Sequence, residues 1–167
     1  MTPSLEDPHL RALISMALEE DHVDQDCTSA ALVPEDAQAR GRVVVRAPGI
    51  IAGLFLLAPN SALLAPFPGL SFQVFVQDGA AVSPGEIVAE LMGSARAVLG
   101  IERTLLNFLQ RMSGIATLTA QYVHALEGTS TCIQETRKTC PGWRTLDKYA
   151  VRAGGGLNHR AHLGDQA

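Results

Sequence analysis

From Ala95 to Leu126 the chain contains no proline, and Leu99, Leu105, Leu106, Leu109, Met112, Ile115, Leu118, Tyr122 and Val123 recur at helical intervals. A run of that length with one apolar face predicts a single long or kinked helix, around which the rest of the chain must be arranged. Arg103, Asn107, Gln110 and Gly114 are spaced 4, 3 and 4 along it and so share a face. That polar line is either a solvated stripe or a means of presenting one guanidinium to a carboxylate.

Before this helix, Asp7 followed by Pro8 reads as an N-cap and first helical position, with Leu10, Leu13, Ile14, Ala17 and Leu18 on one face. Three β-rich runs follow, Arg42 to Arg46, Ser71 to Val76 and Gly85 to Leu91, with Asp78-Gly79 as a turn signal. Between the first two, Ile50 to Leu64 is expected to form a helix broken near Pro59. The apolar stretch from Ile50 to Phe67 is interrupted by Pro59, Asn60 and Pro66, so neither piece can span a bilayer. The N-terminus lacks the basic start and apolar run of a secretory signal, and a cytoplasmic location is expected. Cys27, Cys132 and Cys140 are odd in number and lack paired spacing, which supports neither a disulfide framework nor a zinc site.

After Gly128 the pattern becomes a short strand, Cys132 to Thr136, a turn at Pro141-Gly142, and a helix from Thr145 to Ala153 closed by Gly154, Gly155 and Gly156. In β-turn-α units of this kind the functional groups sit at the C-terminal end of the strand, here occupied by Arg137 and Lys138. Glu135 to Arg160 holds six basic and two acidic residues, a local charge of +4 in a chain of net charge −4, so the remainder carries −8. With Trp143 and Tyr149 as the only aromatics in this stretch, a stacking surface for nucleic acid is not expected. The pattern fits a small carboxylate or phosphate ligand, or a solvated basic helix face.

ERTLLNFLQRMSGIATLTAQYV (102–123) and TRKTCPGWRTLDKYAVRAGGGLNHR (136–160) strongly resemble quinolinate phosphoribosyltransferase, the carboxylating nicotinate-nucleotide pyrophosphorylase. Asp26-Cys27-Thr28-Ser29 is similar to that family's N-terminal D-x-T-[ST] segment, and DGAAVSPGEIVAELMGSARAVLGIERTLLN, from Asp78, to its hairpin leading into an Arg-bearing helix. The resemblance implies an α/β (α+β) fold: an N-terminal α/β sandwich domain over residues 1–110, then the beginning of an incomplete α/β barrel over 111–167. It implies transfer of a phosphoribosyl group from phosphoribosyl pyrophosphate, with Mg2+, to quinolinate. Pyrophosphate and CO2 leave, and nicotinate mononucleotide forms for NAD biosynthesis. Arg103, Arg137, His159 and Arg160 would hold the two quinolinate carboxylates, and Lys138 would contact the ribosyl phosphate or quinolinate region. The resemblance also implies a homodimer or higher homo-oligomer, in which the helix arginine, here Arg103, would serve the partner's site.

Three positions depart from the family pattern: Glu135 for the usual Asp, Trp143 for Leu and His162 for Gly. The family's chains also continue further, completing the barrel and carrying another lysine and the acidic residues expected near Mg2+. On this reading the chain is truncated within the barrel, no metal ligand lies in it, and its lone βα unit has nothing to pair with. The alternative is an inactive member of the family retaining dimerisation or weak anion binding. Two rivals are weaker. The stretch from Val76 to Gly93 is similar to a biotinyl or lipoyl carrier hairpin, but Lys138 and Lys148, the only lysines, lie outside it. His159, His162 and Asp165 could face one another on a helix as metal ligands.

Overall fold

The computed structural model describes residues 2–165. Asp7 accepts a hydrogen bond from the His9 N–H (2.9 Å) and Pro8 starts α1, Pro8–Glu20, which buries Leu10, Ile14 and Leu18. A turn through His22, at the left-handed φ of 48°, leads to a short 3-10 segment and to α2, Cys27–Leu32. Asp26 caps α2 by accepting the Ser29 N–H (2.9 Å), so the D-C-T-S segment does local structural work.

The principal sheet contains β1, Gln38–Val44, β3, Ser71–Val74, and β5, Ile87–Ser94. Its order is β1-β5-β3, all antiparallel, with Arg42 and Gln73 both opposite Glu90. Glu90 is buried on the central strand and is paired with Arg42 at 3.1 Å and Arg40 at 3.5 Å. β1 begins four residues before the expected start, because Arg40, Gly41 and Arg42 look polar in sequence yet alternate faces in the sheet. Gly41 lets the covering helix approach closely, since a Cβ would lie 3.0 Å from Val98 Cγ1.

That helix is α3, Ala95–Ala125, one element of 31 residues and roughly 46 Å that follows β5 without a loop. It buries Ile101, Leu105, Phe108, Leu109, Met112 and Ala116. A second, two-stranded sheet joins β2, Gly49–Ile50, to β4, Ala81–Val82. β2 is fastened to α3 by hydroxyls one turn apart: Thr117 Oγ1 accepts the Ile50 N–H (2.8 Å) and Ser113 Oγ the Ala52 N–H (3.0 Å).

The helix expected over Ile50 to Leu64 is not formed. The segment contributes β2, a 3-10 turn at Leu54–Leu57 and further turns. Gly53 takes φ 112°, and the Asp78 carboxylate accepts the N–H groups of Leu54 (2.9 Å) and Phe55 (3.3 Å), fixing a tight turn that buries Leu54, Leu56 and Leu57. The hairpin that resembles a carrier domain is thereby scaffold: its Asp78 ties three parts of the chain together, because the Tyr149 hydroxyl also donates to it (2.6 Å).

Tyr149 belongs to α4, Arg144–Ala153, which packs on α3. Gly154 makes the contact possible: a Cβ there would collide with the Ala116 carbonyl oxygen and lie 2.8 Å from Thr119 Cβ. At Gly156 it would lie 2.7 Å from Val151 Cγ1 and 2.9 Å from Thr119 Cγ2. A bidentate ion pair joins the helices, with Arg111 Nη2 at 3.0 and 3.1 Å from the two Asp147 oxygens and Nε at 3.2 Å from Oδ1. Trp143 completes this junction, its ring 4.7 Å from the Arg111 guanidinium and 5.0 Å from the Phe108 ring. Trp143, expected to be a departure from the family pattern, is thus a side chain with its own packing partners.

The strand expected over Cys132 to Thr136 is reduced to one parallel bridge, Gln134 to Leu157. The unit is not left without a partner, however, because Leu157, just beyond α4, supplies one. The sheets among the described residues are open and no closed barrel forms.

Two stability predictions follow from this packing. Gly154→Ala lowers the unfolding free energy by about 2–3 kcal/mol in urea titration, as expected when a side chain is forced into a filled contact. Gly114→Ala, inside α3 with nothing within 4 Å of the added carbon, raises it by about 0.5–1 kcal/mol. A smaller loss at Gly154 than at a typical surface site would contradict the close approach. Burial and the hydrogen bond to Asp78 push the Tyr149 phenol above its ordinary value of 10.0. The folded state therefore holds this proton more tightly than the unfolded state, and stability is complete below about pH 10 and declines above it. Between about pH 8 and pH 11 the parent is expected to lose more stability than Tyr149→Phe, and equal losses would contradict the assignment.

Candidate anion-binding site

The parallel bridge between Gln134 and Leu157 sets two segments side by side with the same direction. Beyond their C-terminal ends lie Arg137 and Lys138 on one and His159 and Arg160 on the other. Four of the five residues expected to contact substrate are thus brought to one end of one structural unit. Lys138 and His159 are exposed, and Arg137 and Arg160 are partly buried. The Arg137 Nε is buried and has no hydrogen-bond acceptor among the described residues. An unsatisfied buried donor is costly, and on a guanidinium it is suited to an incoming carboxylate.

Local order is maintained by short-range hydrogen bonds. The Lys138 N–H donates to Thr136 Oγ1 (3.0 Å), turning the first segment outward. Glu135, whose side chain is 9% exposed, accepts the His159 N–H (3.0 Å) and pairs with the buried Lys148 ammonium, which donates to the His159 carbonyl (2.6 Å). Burial pushes Lys148 below the ordinary lysine range, and the charge of Asp165 opposes that shift. Arg144, at the start of α4, reaches Thr139 Oγ1 (3.3 Å) and the carbonyls of Ala161 (3.2 Å) and Arg137 (3.5 Å). These supporting residues were counted in the sequence only as part of the basic cluster. The available signal was the spacing of Arg144 and Lys148, one turn apart on one helix.

Arg103 lies elsewhere. Its side chain is exposed, 3.7 Å from Asp21, in a cleft of about 590 Å³ between the turn after α1 and the polar line of α3. Asn107 and Gln110 line this cleft with it, as do Asp26 and Cys27, and none of the other four expected residues does.

The proposed metal triad does not assemble. His162 Nδ1 pairs with Asp165, whose other carboxylate oxygen accepts the N–H groups of Ala161 (2.7 Å) and His162 (3.0 Å). These backbone bonds hold the Asp165 carboxyl below its ordinary range. Among the described residues no three His, Cys, Asp or Glu side chains are grouped to hold a metal ion. His162, expected to be a departure from the family pattern, closes this exposed turn with Asp165.

Two family models cover most of the chain: quinolinate phosphoribosyl transferase N-terminal domain over residues 26–113, and its C-terminal domain over 115–167. They meet within α3. A nicotinate-nucleotide pyrophosphorylase [carboxylating] of Mycobacterium leprae (strain TN) is 43% identical over 158 residues, 94% of this chain and 56% of that relative. A probable enzyme of the same name from Bacillus subtilis (strain 168) is 40% identical over 156 residues, 93% of this chain and 53% of the relative. NadC from Streptococcus pyogenes superposes with a TM-score of 0.89 at 36% identity, covering 98% of this chain and 57% of that one. The nicotinate-nucleotide pyrophosphorylase from Francisella tularensis gives 0.86 at 32% identity, covering 99% and 59%. The chain spans between 41% and 56% of the length of the curated relatives it matches. With matches that extend over nearly all of its sequence and its fold, the chain belongs to the quinolinate phosphoribosyl transferase family.

Proposed function

We propose that this chain supplies the dicarboxylate-binding part of a quinolinate phosphoribosyltransferase, a pentosyltransferase of NAD biosynthesis. The observation that carries this reading is the juxtaposition of Arg137 and Lys138 with His159 and Arg160 across the Gln134–Leu157 bridge. Quinolinate is a planar pyridine with carboxylates on adjacent carbons. Guanidinium forks suit those carboxylates, and the compact ammonium of Lys138 suits a phosphate oxygen. The buried Arg137 Nε, which lacks an acceptor among the described residues, would gain one from the substrate.

With its carboxylates held, the pyridine ring presents its nitrogen to the anomeric carbon of phosphoribosyl pyrophosphate. The nitrogen lone pair forms the new C–N bond as the C–O bond to pyrophosphate breaks, and pyrophosphate carries away that electron pair. The quaternised ring then accepts the electron pair released when the carboxylate next to the nitrogen departs as CO2, and that carbon takes up a proton to give nicotinate mononucleotide. No covalent enzyme intermediate is required. The contribution of these residues is to bind and orient the ring and neutralise its charge before reaction. Mg2+ belongs to this proposal as the companion of the pyrophosphate donor, bound through phosphate oxygens.

The separate cleft that holds Arg103 supports its assignment to a second copy's site in a homodimer. No helix among the described residues is long and apolar enough to cross a membrane.

The test is calorimetric titration of the purified chain with quinolinate, together with chromatographic detection of nicotinate mononucleotide after adding phosphoribosyl pyrophosphate and Mg2+. Saturable quinolinate binding that falls at least about thirtyfold in Arg137→Ala is expected, from loss of a buried charged contact. Any product formed should disappear in the same variant. Absence of saturable binding by the parent, or binding unchanged in Arg137→Ala, would overturn the reading.

A further inference from the structure

The sequence places six basic residues between Glu135 and Arg160, and the structure divides their work. Arg144 and Lys148 leave α4 one turn apart on the same side and do not end in solvent. Arg144 binds two backbone carbonyls, of Arg137 in the first cationic segment and of Ala161 just past the second, and also Thr139. Lys148 and Glu135 grip His159 at both ends of one residue, the ammonium holding its carbonyl and the carboxylate its N–H. With its amide nitrogen facing the two acceptors, Asn158 donates to Glu135 Oε2 (3.3 Å) and to the Lys148 carbonyl (2.9 Å).

Burying a lysine with a glutamate is a poor way to gain stability, because desolvation of both charges offsets their attraction. Replacing such a pair with apolar side chains is often neutral. A pair whose remaining hydrogen-bonding capacity is directed at one backbone unit next to a ligand-binding side chain has a geometric role. We propose that Arg144, and Lys148 acting through Glu135, are positioning residues that fix the separation of Arg137–Lys138 from His159–Arg160. They thereby set selectivity for a ligand with two adjacent carboxylates over one with a single carboxylate. This rests on the quinolinate reading above.

The experiment compares quinolinate and nicotinate, its single-carboxylate relative, by calorimetric titration of the full chain. In the double variant Glu135→Leu/Lys148→Met both charges are removed together, so no unpaired charge is buried. Arg144→Lys keeps a positive charge but loses the planar fork, and it provides an independent test should the double variant not fold. Thermal melts establish that each variant is folded. The expected result is a loss of quinolinate affinity of at least about tenfold, the scale of a small misplacement of binding groups, with a much smaller loss for nicotinate. The ratio of the two affinities then collapses, which a change in stability alone would not produce. Folded variants that keep the parent's ratio would overturn the proposal. Arg137→Ala serves as the control: quinolinate binding that is indifferent to it removes the underlying substrate reading, and this inference with it.

Discussion

The arrangement depends on the close approach of the segment after α4 to α3 at Gly154, Ala116 and Thr119. No side chain at position 154 is compatible with it. Once that contact is made, Arg111 meets Asp147, Trp143 covers the guanidinium, and Tyr149 reaches Asp78. These contacts join the carboxyl-terminal part of the chain to the sheet-bearing part through a single helix. They also fix where α4 lies, and therefore where Arg144 and Lys148 can reach.

The chemistry of the cationic corner follows from that placement. Positive charge gathered in one region would repel itself and expand if left on mobile side chains. Here the most buried member, Lys148, is neutralised by Glu135, while Arg144 is engaged by carbonyl oxygens. Arg137, Lys138, His159 and Arg160 extend beyond this support at the ends of two parallel segments. The corner is thus organised before a ligand arrives, which reduces the reorganisation that binding must oppose.

Much of the helical structure was legible in the sequence because its signals are local. Asp7-Pro8 marks the start of α1, and the proline-free apolar period marks α3 almost to the residue. The segment after Ile50 was not legible, since its turn is fixed by Asp78, a residue more than twenty positions away. The expected strand at Cys132 to Thr136 shrinks to a bridge for a related reason: β-propensity is present, but a ladder requires a neighbour, and among the described residues only Leu157 pairs with it. For the site, motif resemblance singled out Arg137, Lys138, His159 and Arg160, which the fold brings to one corner beyond the Gln134–Leu157 bridge. It could not separate them from Arg144 and Lys148, which have the same charge and lie in the same stretch. Their partners are backbone atoms, and which carbonyl faces a given cation is a property of the folded chain alone.

A buried ion pair holds the backbone at His159 in place, although the His159 side chain faces solvent. Amide hydrogen exchange at His159, followed by nuclear magnetic resonance in the parent chain, addresses this directly. This N–H, donated to Glu135, is expected to exchange as slowly as the interior amides of α4 and to open only when α4 does. Exchange at the rate of an unprotected loop would contradict it.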